Sequence, residues 1–225
     1  LMPTITFQSC YNMLKEREAN VFLVDIDAKS GQITPEEILK CIKQNKIKKV
    51  KFFLTMYLGG YPRRVKDFYR LKKKLKCFLV EDACHAFGAT YKVVNKIYKI
   101  GSCQHSDIAC FSFHPLKTIT TGEGGAVSTN IRSISRKTKI YRTHGLEILK
   151  HWNYVSHGIG YNYRLSDINC ALGLSQLKNI KNILTKRKKI FYKYKNFFLK
   201  ISNITNKKIE FLSPDNKTNP SYNLF

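Results

Sequence analysis

The sequence predicts an α/β fold built on a mostly parallel sheet. Three apolar runs, within residues 19–27, 50–56 and 77–80, have the length and the Val, Leu and Phe content of buried strands. Residues 34–42 and 66–76 lie between them and carry apolar side chains at helical intervals. Since strands and helices alternate in this order, the connections are those of parallel β-α-β units.

The first of these helices has a clear start signal. Thr34 is placed to cap it, Pro35 lies in its first turn, and Glu37 completes a capping box. Further along, residues 91–101 alternate weakly in polarity and predict a hairpin. The next elements predicted are strands at residues 108–113 and 126–129 and a basic helix at residues 131–141.

A long helical pattern begins after Ser166, which is suited to be its N-cap, and continues past the basic run 186–189. Because the pattern exceeds an ordinary globular helix, we expect a bend or break near Lys186, or a spine that joins two domains. We interpret the basic run itself as a solvated face. Residues 203–220 are rich in Asn, Lys, Thr and Pro, which is typical of a linker.

A lysine lies at the centre of the most informative stretch. Residues 108–113 form an aromatic strand that ends before Pro115, and Lys117 precedes a glycine-rich turn at residues 122–125. A lysine held between two buried strands is costly to desolvate, so its amine loses a proton more readily than a surface lysine does. Such an amine can form an imine. The alternative is an ordinary loop lysine in a lysine-rich chain.

A second stretch places acids at the end of a buried strand. Asp82 follows the strand at residues 77–80, at the carboxyl edge where open α/β sheets bind their ligands. A carboxylate there can pair with a protonated ring nitrogen of a cofactor, and His85 can lie close to the same ring. In the alternative interpretation, Asp82 only caps the next turn.

In combination these motifs resemble the DegT/DnrJ/EryC1/StrS family of sugar aminotransferases. That family consists of pyridoxal-phosphate (PLP) enzymes with the aspartate aminotransferase fold, fold type I. The resemblance runs from about residue 4 to about residue 184. It implies that residues 1–200 are a PLP-binding large domain whose N-terminal part is missing, and that residues 201–225 are a linker and the start of a truncated small C-terminal domain, so that the fold is truncated at both ends in this chain. The matching blocks are residues 82–88, 112–117, 123–125, 142–145 and 160–165.

The resemblance implies a role for each matching residue around the cofactor. Lys117 would be the catalytic lysine, which forms the Schiff base and shuttles the proton. Asp82 would pair with the pyridinium nitrogen, so that the ring can withdraw electrons. His85 would lie against the ring near its phenolic oxygen, and Ser112 would donate a hydrogen bond to the phosphate.

Three further residues complete the expected site. Asn162 would reach the phosphate of the neighbouring subunit, which implies a homodimer with a shared active site. Phe7 stands where the family places an aromatic side chain against the ring face. Tyr57, in the loop after the strand at residues 50–56, is a candidate wall of the substrate site, although this loop is about as consistent with an ordinary turn.

Within the family, the block around Lys117 is most similar to the branch that makes the 4-amino sugar precursor of pseudaminic acid. The implied reaction transfers an amino group from L-glutamate to C4 of a UDP-linked 4-keto-6-deoxy sugar, for a surface glycan. One alternative is a sugar dehydratase of the same family, in which His replaces the imine-forming lysine. Another is a non-catalytic binding module. Lys117 argues against the first, and its occurrence together with Asp82, Ser112 and Asn162 argues against the second.

The net charge and the cysteine content limit which other classes of function are possible. The net charge of +25 raises the possibility of nucleic-acid binding, but the lysines are spread along the whole chain and form no stripe, so we expect no nucleic-acid partner. The seven cysteines include no Cys-x-x-Cys pair, and their spacing to His residues matches no usual zinc pattern. We therefore expect no metal, reduced thiols in the cytoplasm and, without a long apolar run, no membrane span.

Overall fold

The computed structural model describes residues 1–212, 214 and 216–224. Strands and helices alternate through the first half of the chain, and two long helices dominate the second half. The elements are β1 (Met2–Pro3), α1 (Gln8–Glu16), β2 (Leu23–Val24), α2 (Pro35–Gln44), β3 (Phe52–Met56), α3 (Val65–Leu75), β4 (Phe78–Asp82), β5 (Thr90–Val93), β6 (Lys96–Lys99), β7 (Ile108–Ser112), β8 (Gly125–Ser128), α4 (Arg132–Arg142), β9 (Leu146–Lys150), β10 (Asn153–Ser156), α5 (Asp167–Lys178), α6 (Ile180–Thr205) and β11 (Thr218–Asn219).

The central sheet is mostly parallel, as predicted. Strands β3, β4 and β7 are parallel neighbours, and β8 closes the sheet as an antiparallel edge. On the other side of β3, the backbone N–H of Leu54 donates to the carbonyl of Leu1 at 2.9 Å, and β1 pairs in parallel with β2. The register places Met56, the last residue of β3, beside Asp82, the last residue of β4, and places Asp82 beside Cys110 in the middle of β7.

Helices α2 and α3 cover the sheet with the side chains that their periodicity places inward. Ile38 and Phe68 are buried in one cluster with Phe53 and Leu79 of the sheet, and the rings of Phe53 and Phe68 lie 6.1 Å apart. The predicted start of α2 is confirmed, since the Thr34 hydroxyl accepts a hydrogen bond from the backbone N–H of Glu37 at 3.2 Å. Burial of this face is the main source of stability for these helices.

The break in the long helical pattern does not lie where the sequence predicts it. Helix α5 ends at Lys178 and α6 begins at Ile180, with Asn179 between them. Lys186, the predicted break point, lies within the continuous α6. Asparagine competes with helical hydrogen bonds through its own side chain and favours helix ends, whereas lysine is a good helix former.

Two other regions differ from their predictions. The strand expected across residues 19–27 is reduced to the two residues of β2, and a helix that the sequence analysis did not predict, α1, precedes it. Part of the predicted linker is ordered, because β11 pairs with β5. Residues 213, 215 and 225 of the segment 201–225 lie outside the described residues.

None of the helices in the described part of the chain is both long enough and apolar enough to cross a bilayer. Among the described residues, no group of three or more His, Cys, Asp and Glu side chains is arranged to hold a metal ion.

Candidate active site

Asp82 is the last residue of β4 and has its carboxylate at the carboxyl edge of the sheet, with 5% of the residue exposed. One carboxylate oxygen, Oδ1, accepts a hydrogen bond from the backbone N–H of Cys84 at 3.0 Å. The other, Oδ2, lies 3.8 Å from the thiol of Cys10, which α1 brings to this edge. The hydrogen bond from the backbone N–H fixes the orientation of the carboxylate. The contact of Oδ2 with the thiol is weak, so Oδ2 can still accept a stronger hydrogen bond.

His85 lies in the turn after β4, and its Nδ1 is buried without a hydrogen-bond partner among the described residues. Burial, together with the nearby positive charge of Lys117, lowers the pKa of His85 to about 4, against a smaller upward effect of Asp82. The imidazole is therefore neutral at pH 7. Because its pKa responds to both charges, His85, Lys117 and Asp82 occupy one electrostatic neighbourhood.

Lys117 follows β7 in a tight turn. Its backbone N–H donates to the carbonyl of His114 at 2.9 Å, and Thr121 donates back to the carbonyl of Phe113 at 3.0 Å. Ser112 is the last residue of β7, and its hydroxyl accepts from the backbone N–H of His114 at 3.3 Å. The turn thus presents both Ser112 and the partly buried Lys117 at the edge where Asp82 lies.

Two of the predicted site residues lie at the surface. Phe7 is 73% exposed at the start of α1, the helix that carries Cys10 to Asp82. Asn162 lies in an exposed loop, where its side-chain oxygen accepts from the Arg164 Nε at 2.9 Å. No hydrogen bond among the described residues joins either of them to Asp82, His85 or Lys117.

The structure contradicts the expectation that Tyr57 forms a wall of the substrate site. Only 1% of this residue is exposed, and its hydroxyl donates to Oε1 of Glu81 at 2.7 Å. Burial and the neighbouring Glu81 raise the pKa of Tyr57 well above its usual value. Tyr57 belongs to a buried cluster with Ala83 and Tyr91 and therefore does not form an open wall for a substrate.

The sequence analysis missed three contributors to this edge. Cys84 lies beside Asp82, and burial and that carboxylate raise the pKa of its thiol. The hydroxyl of Thr6 is buried without a hydrogen-bond partner among the described residues. Arg187, assigned to a solvated face, is half-buried and donates through Nη2 to the carbonyl of Lys117 at 3.0 Å. An arginine inside a run of lysines was the available signal, because its forked guanidinium is suited to carbonyl and carboxylate partners.

The burial of His85 predicts how the stability of the fold depends on pH. A histidine whose pKa is lower in the folded state than in the unfolded chain destabilises the fold as pH falls from about 6.5 towards 4, because the unfolded chain binds the proton first. With His85 partly solvated, we expect a loss of at most about 2 kcal/mol over that range. Replacing His85→Gln should flatten the dependence, as measured by urea unfolding between pH 7 and 5. The exposed His151→Gln variant should keep the wild-type slope, and an equal slope in both variants would contradict the prediction.

Comparison with known proteins places this geometry in a family. The model of the DegT/DnrJ/EryC1/StrS aminotransferase family matches residues 1–218. The chain is 36% identical over 190 residues to the UDP-4-amino-4,6-dideoxy-N-acetyl-beta-L-altrosamine transaminase of Campylobacter jejuni subsp. jejuni serotype O:23/36, covering 84% of this chain and 48% of the relative. It is 33% identical over 195 residues to the GDP-perosamine synthase of Escherichia coli O157:H7, covering 87% and 50%.

Solved structures agree with this placement. Helicobacter pylori PseC, an aminotransferase involved in the biosynthesis of pseudoaminic acid, superposes with a TM-score of 0.77 at 32% identity, covering 88% of this chain and 50% of its own. Spr1654 of Streptococcus pneumoniae, in its PLP-form, shares the fold with a TM-score of 0.81 at 24% identity, covering 100% of this chain and 58% of its own. The chain spans about half the length of the curated relatives it matches. The family model and these identities together show that the chain belongs to the DegT/DnrJ/EryC1/StrS aminotransferase family.

Proposed function

We propose that this chain is the cofactor-binding part of a PLP-dependent nucleotide-sugar aminotransferase. The observation that carries the proposal is the convergence of Asp82, His85 and Lys117 at the carboxyl edge of β4 and β7. The names of the relatives supply the reaction class, since the Campylobacter protein is a transaminase of a UDP-linked amino sugar.

The residues at this edge fit PLP. The carboxylate oxygen Oδ2 of Asp82 is free of backbone donors and suits a protonated ring nitrogen, and the buried Nδ1 of His85 lacks a partner among the described residues. Lys117 supplies the amine, and the hydroxyl of Ser112 is positioned at the end of β7 for a phosphate. When bound, PLP supplies an electron-withdrawing ring that stabilises a carbanion at the substrate carbon.

Each protein group then has a separate task. Asp82, oriented by the Cys84 backbone N–H, would pair with the ring nitrogen and keep it protonated. The amine of Lys117 takes a proton from one carbon and returns it to another, which is general base and acid catalysis by one group. His85 stays neutral at pH 7 because burial lowers its pKa, so it would lie against the ring without adding a charge.

For the substrates we propose L-glutamate as amino donor and a UDP-linked 4-keto-6-deoxy sugar as acceptor. A relative named as a transaminase of a UDP-linked amino sugar and a solved structure named for the biosynthesis of pseudoaminic acid support the acceptor, and the family resemblance suggests the donor. Both substrates are acidic, and a net charge of +25 favours their approach. We place the reaction in the cytoplasm, where the seven free thiols would remain reduced.

We further propose that the enzyme is a homodimer in which Asn162 and Phe7 act at the cofactor. Asn162 is exposed and lies outside the Asp82 cluster, so it is available to a second copy. Helix α5 supports an interface nearby: it buries none of its residues, and Ile168 is 85% exposed. Apolar exposure of this kind is typical of an association surface.

The proposal is tested by adding PLP and then glutamate. We expect a visible absorption band on PLP addition, covalent retention of the cofactor on Lys117 after borohydride reduction, and loss of the band when glutamate is supplied. Peptide mass mapping identifies the modified residue. A band that glutamate leaves unchanged would favour a different reaction on the same cofactor, and labelling spread over many lysines would contradict the site.

A further inference from the structure

Residues 221–223, here called the return segment, cross the carboxyl edge next to the candidate site. Ser221 is fully buried, with its hydroxyl donating to the carbonyl of His85 at 2.5 Å and its backbone N–H donating to the carbonyl of Gly60 at 3.1 Å. The backbone N–H of Asn223 donates to the carbonyl of Gly59 at 2.8 Å. The segment is thus hydrogen-bonded to the turns that follow both β3 and β4.

The fit at Gly60 is close. Its φ is +89°, and a Cβ there would lie 2.5 Å from the carbonyl oxygen of His85 and directly against the hydroxyl of Ser221. A glycine is required where two backbone segments approach in this way. The position of the return segment relative to His85 is therefore tightly determined.

Arg187 of α6 joins the return segment to the turn that carries Lys117. Its Nη2 donates to the carbonyl of Lys117 at 3.0 Å, and its Nη1 donates to the carbonyls of Asn223 at 3.3 Å and Tyr222 at 3.5 Å. The side chains of Thr118 and Asn223 make a further hydrogen bond at 3.5 Å. One guanidinium thus bridges two chain segments that are remote in sequence.

We propose that Arg187 is a positioning residue, which fixes the backbone of Lys117 against the return segment and so sets where the lysine amine enters the site. This inference rests on the proposed function for its catalytic meaning, but the mechanical link is a property of the chain alone. A planar guanidinium has donors on both of its sides and can reach all three carbonyls, whereas a lysine ammonium on a single stem cannot.

The partial burial of the Arg187 guanidinium is consistent with its role as a positioning residue. Arg187 is half-buried in a run whose neighbours, Lys186, Lys188 and Lys189, are exposed. Burial lowers the pKa of Arg187, which means that removing its charge from water costs free energy. The carbonyl contacts offset that cost only while the two segments stay together, so the arginine couples their positions.

The first arm of the test is hydrogen exchange on the full chain without cofactor. In Arg187→Met, we expect the amides of Lys117, Thr121, Ser221 and Asn223, all hydrogen-bonded in the structure, to exchange about tenfold faster. Arg187→Lys should show a similar local effect although its charge is retained. Lys188→Met, which removes one exposed charge from the same helix, should leave these amides unchanged.

The second arm is PLP binding by the same variants. Wild type and Lys188→Met should bind alike, and both Arg187 variants should bind about tenfold more weakly, with unchanged exchange in the core of α2. Wild-type exchange rates in Arg187→Met would overturn the inference. Faster exchange across the whole chain would also overturn it, because Arg187 would then act through global stability. A wild type that fails to bind PLP would refute the proposed function and leave the exchange result to decide the inference.

Discussion

Replacing Lys117→Ala should abolish the visible absorption that PLP acquires on the wild-type chain and lower the transamination rate by at least about a thousandfold. Alanine can neither form an imine nor move a proton. The structure predicts little loss of folding, because Lys117 is only partly buried and its turn is held by its backbone groups: the N–H donates to the carbonyl of His114, and the carbonyl accepts from the Arg187 side chain. Absorbance titration with PLP, together with far-ultraviolet circular dichroism, measures both effects.

A lysine-rich chain needs a matched control for this experiment. Lys96 is an exposed lysine of the β5–β6 hairpin, so Lys96→Ala should behave as wild type in PLP binding and in rate. A Lys117→Arg variant retains the positive charge and should still lose the absorption band. If the band survives in Lys117→Ala, another amine holds the cofactor and the assignment of Lys117 is wrong.

The second large effect is expected for Asp82→Asn. The amide preserves the shape of the side chain and the contact between Oδ1 and the Cys84 backbone N–H, but it removes the charge that holds a proton on the ring nitrogen. We expect PLP still to be captured by Lys117, with the glutamate half-reaction slowed about a thousandfold. Stopped-flow absorbance after mixing with glutamate gives that rate directly.

Glu81 provides the comparison for Asp82. It is the preceding residue of β4, is equally buried, and is directed to the other side of the strand, where Tyr57 donates to it. Glu81→Gln keeps an acceptor for Tyr57, so its half-reaction should retain most of the wild-type rate. Equal slowing in both variants would mean that charge near the sheet edge, rather than contact with the ring, controls the reaction.

The sequence predicted well those features that depend on local pattern. The apolar run before Asp82 identified β4 and placed the acid at its carboxyl edge, because burial and strand direction are both visible in such a run. The cap at Thr34 was recognised for a similar reason, as was the strand predicted at residues 108–113, which the structure ends one residue earlier, at Ser112. The family resemblance then supplied the roles of individual site residues, which a pattern of apolar and polar residues cannot indicate.

The errors arose where contacts are remote in sequence. Tyr57 follows β3 directly and was assigned to a loop, but its hydroxyl is hydrogen-bonded to Glu81 on the neighbouring strand. Arg187 reaches the carbonyl of Lys117, a partner seventy positions away, which helical periodicity could not reveal. The sequence analysis expected a helix break only near Lys186, whereas the helix breaks at Asn179, whose side chain competes with helical hydrogen bonds.

The thiols beside Asp82 have a consequence for selectivity. Cys84 and Cys110 lie close to the carboxylate, and burial and Asp82 together raise the pKa of both, that of Cys110 to about 11. At neutral pH they are therefore uncharged and poorly nucleophilic. An aldehyde that reaches this edge of the sheet therefore meets no sulfur anion at Cys84 or Cys110, and the amine of Lys117 can add to its carbonyl carbon without that competition.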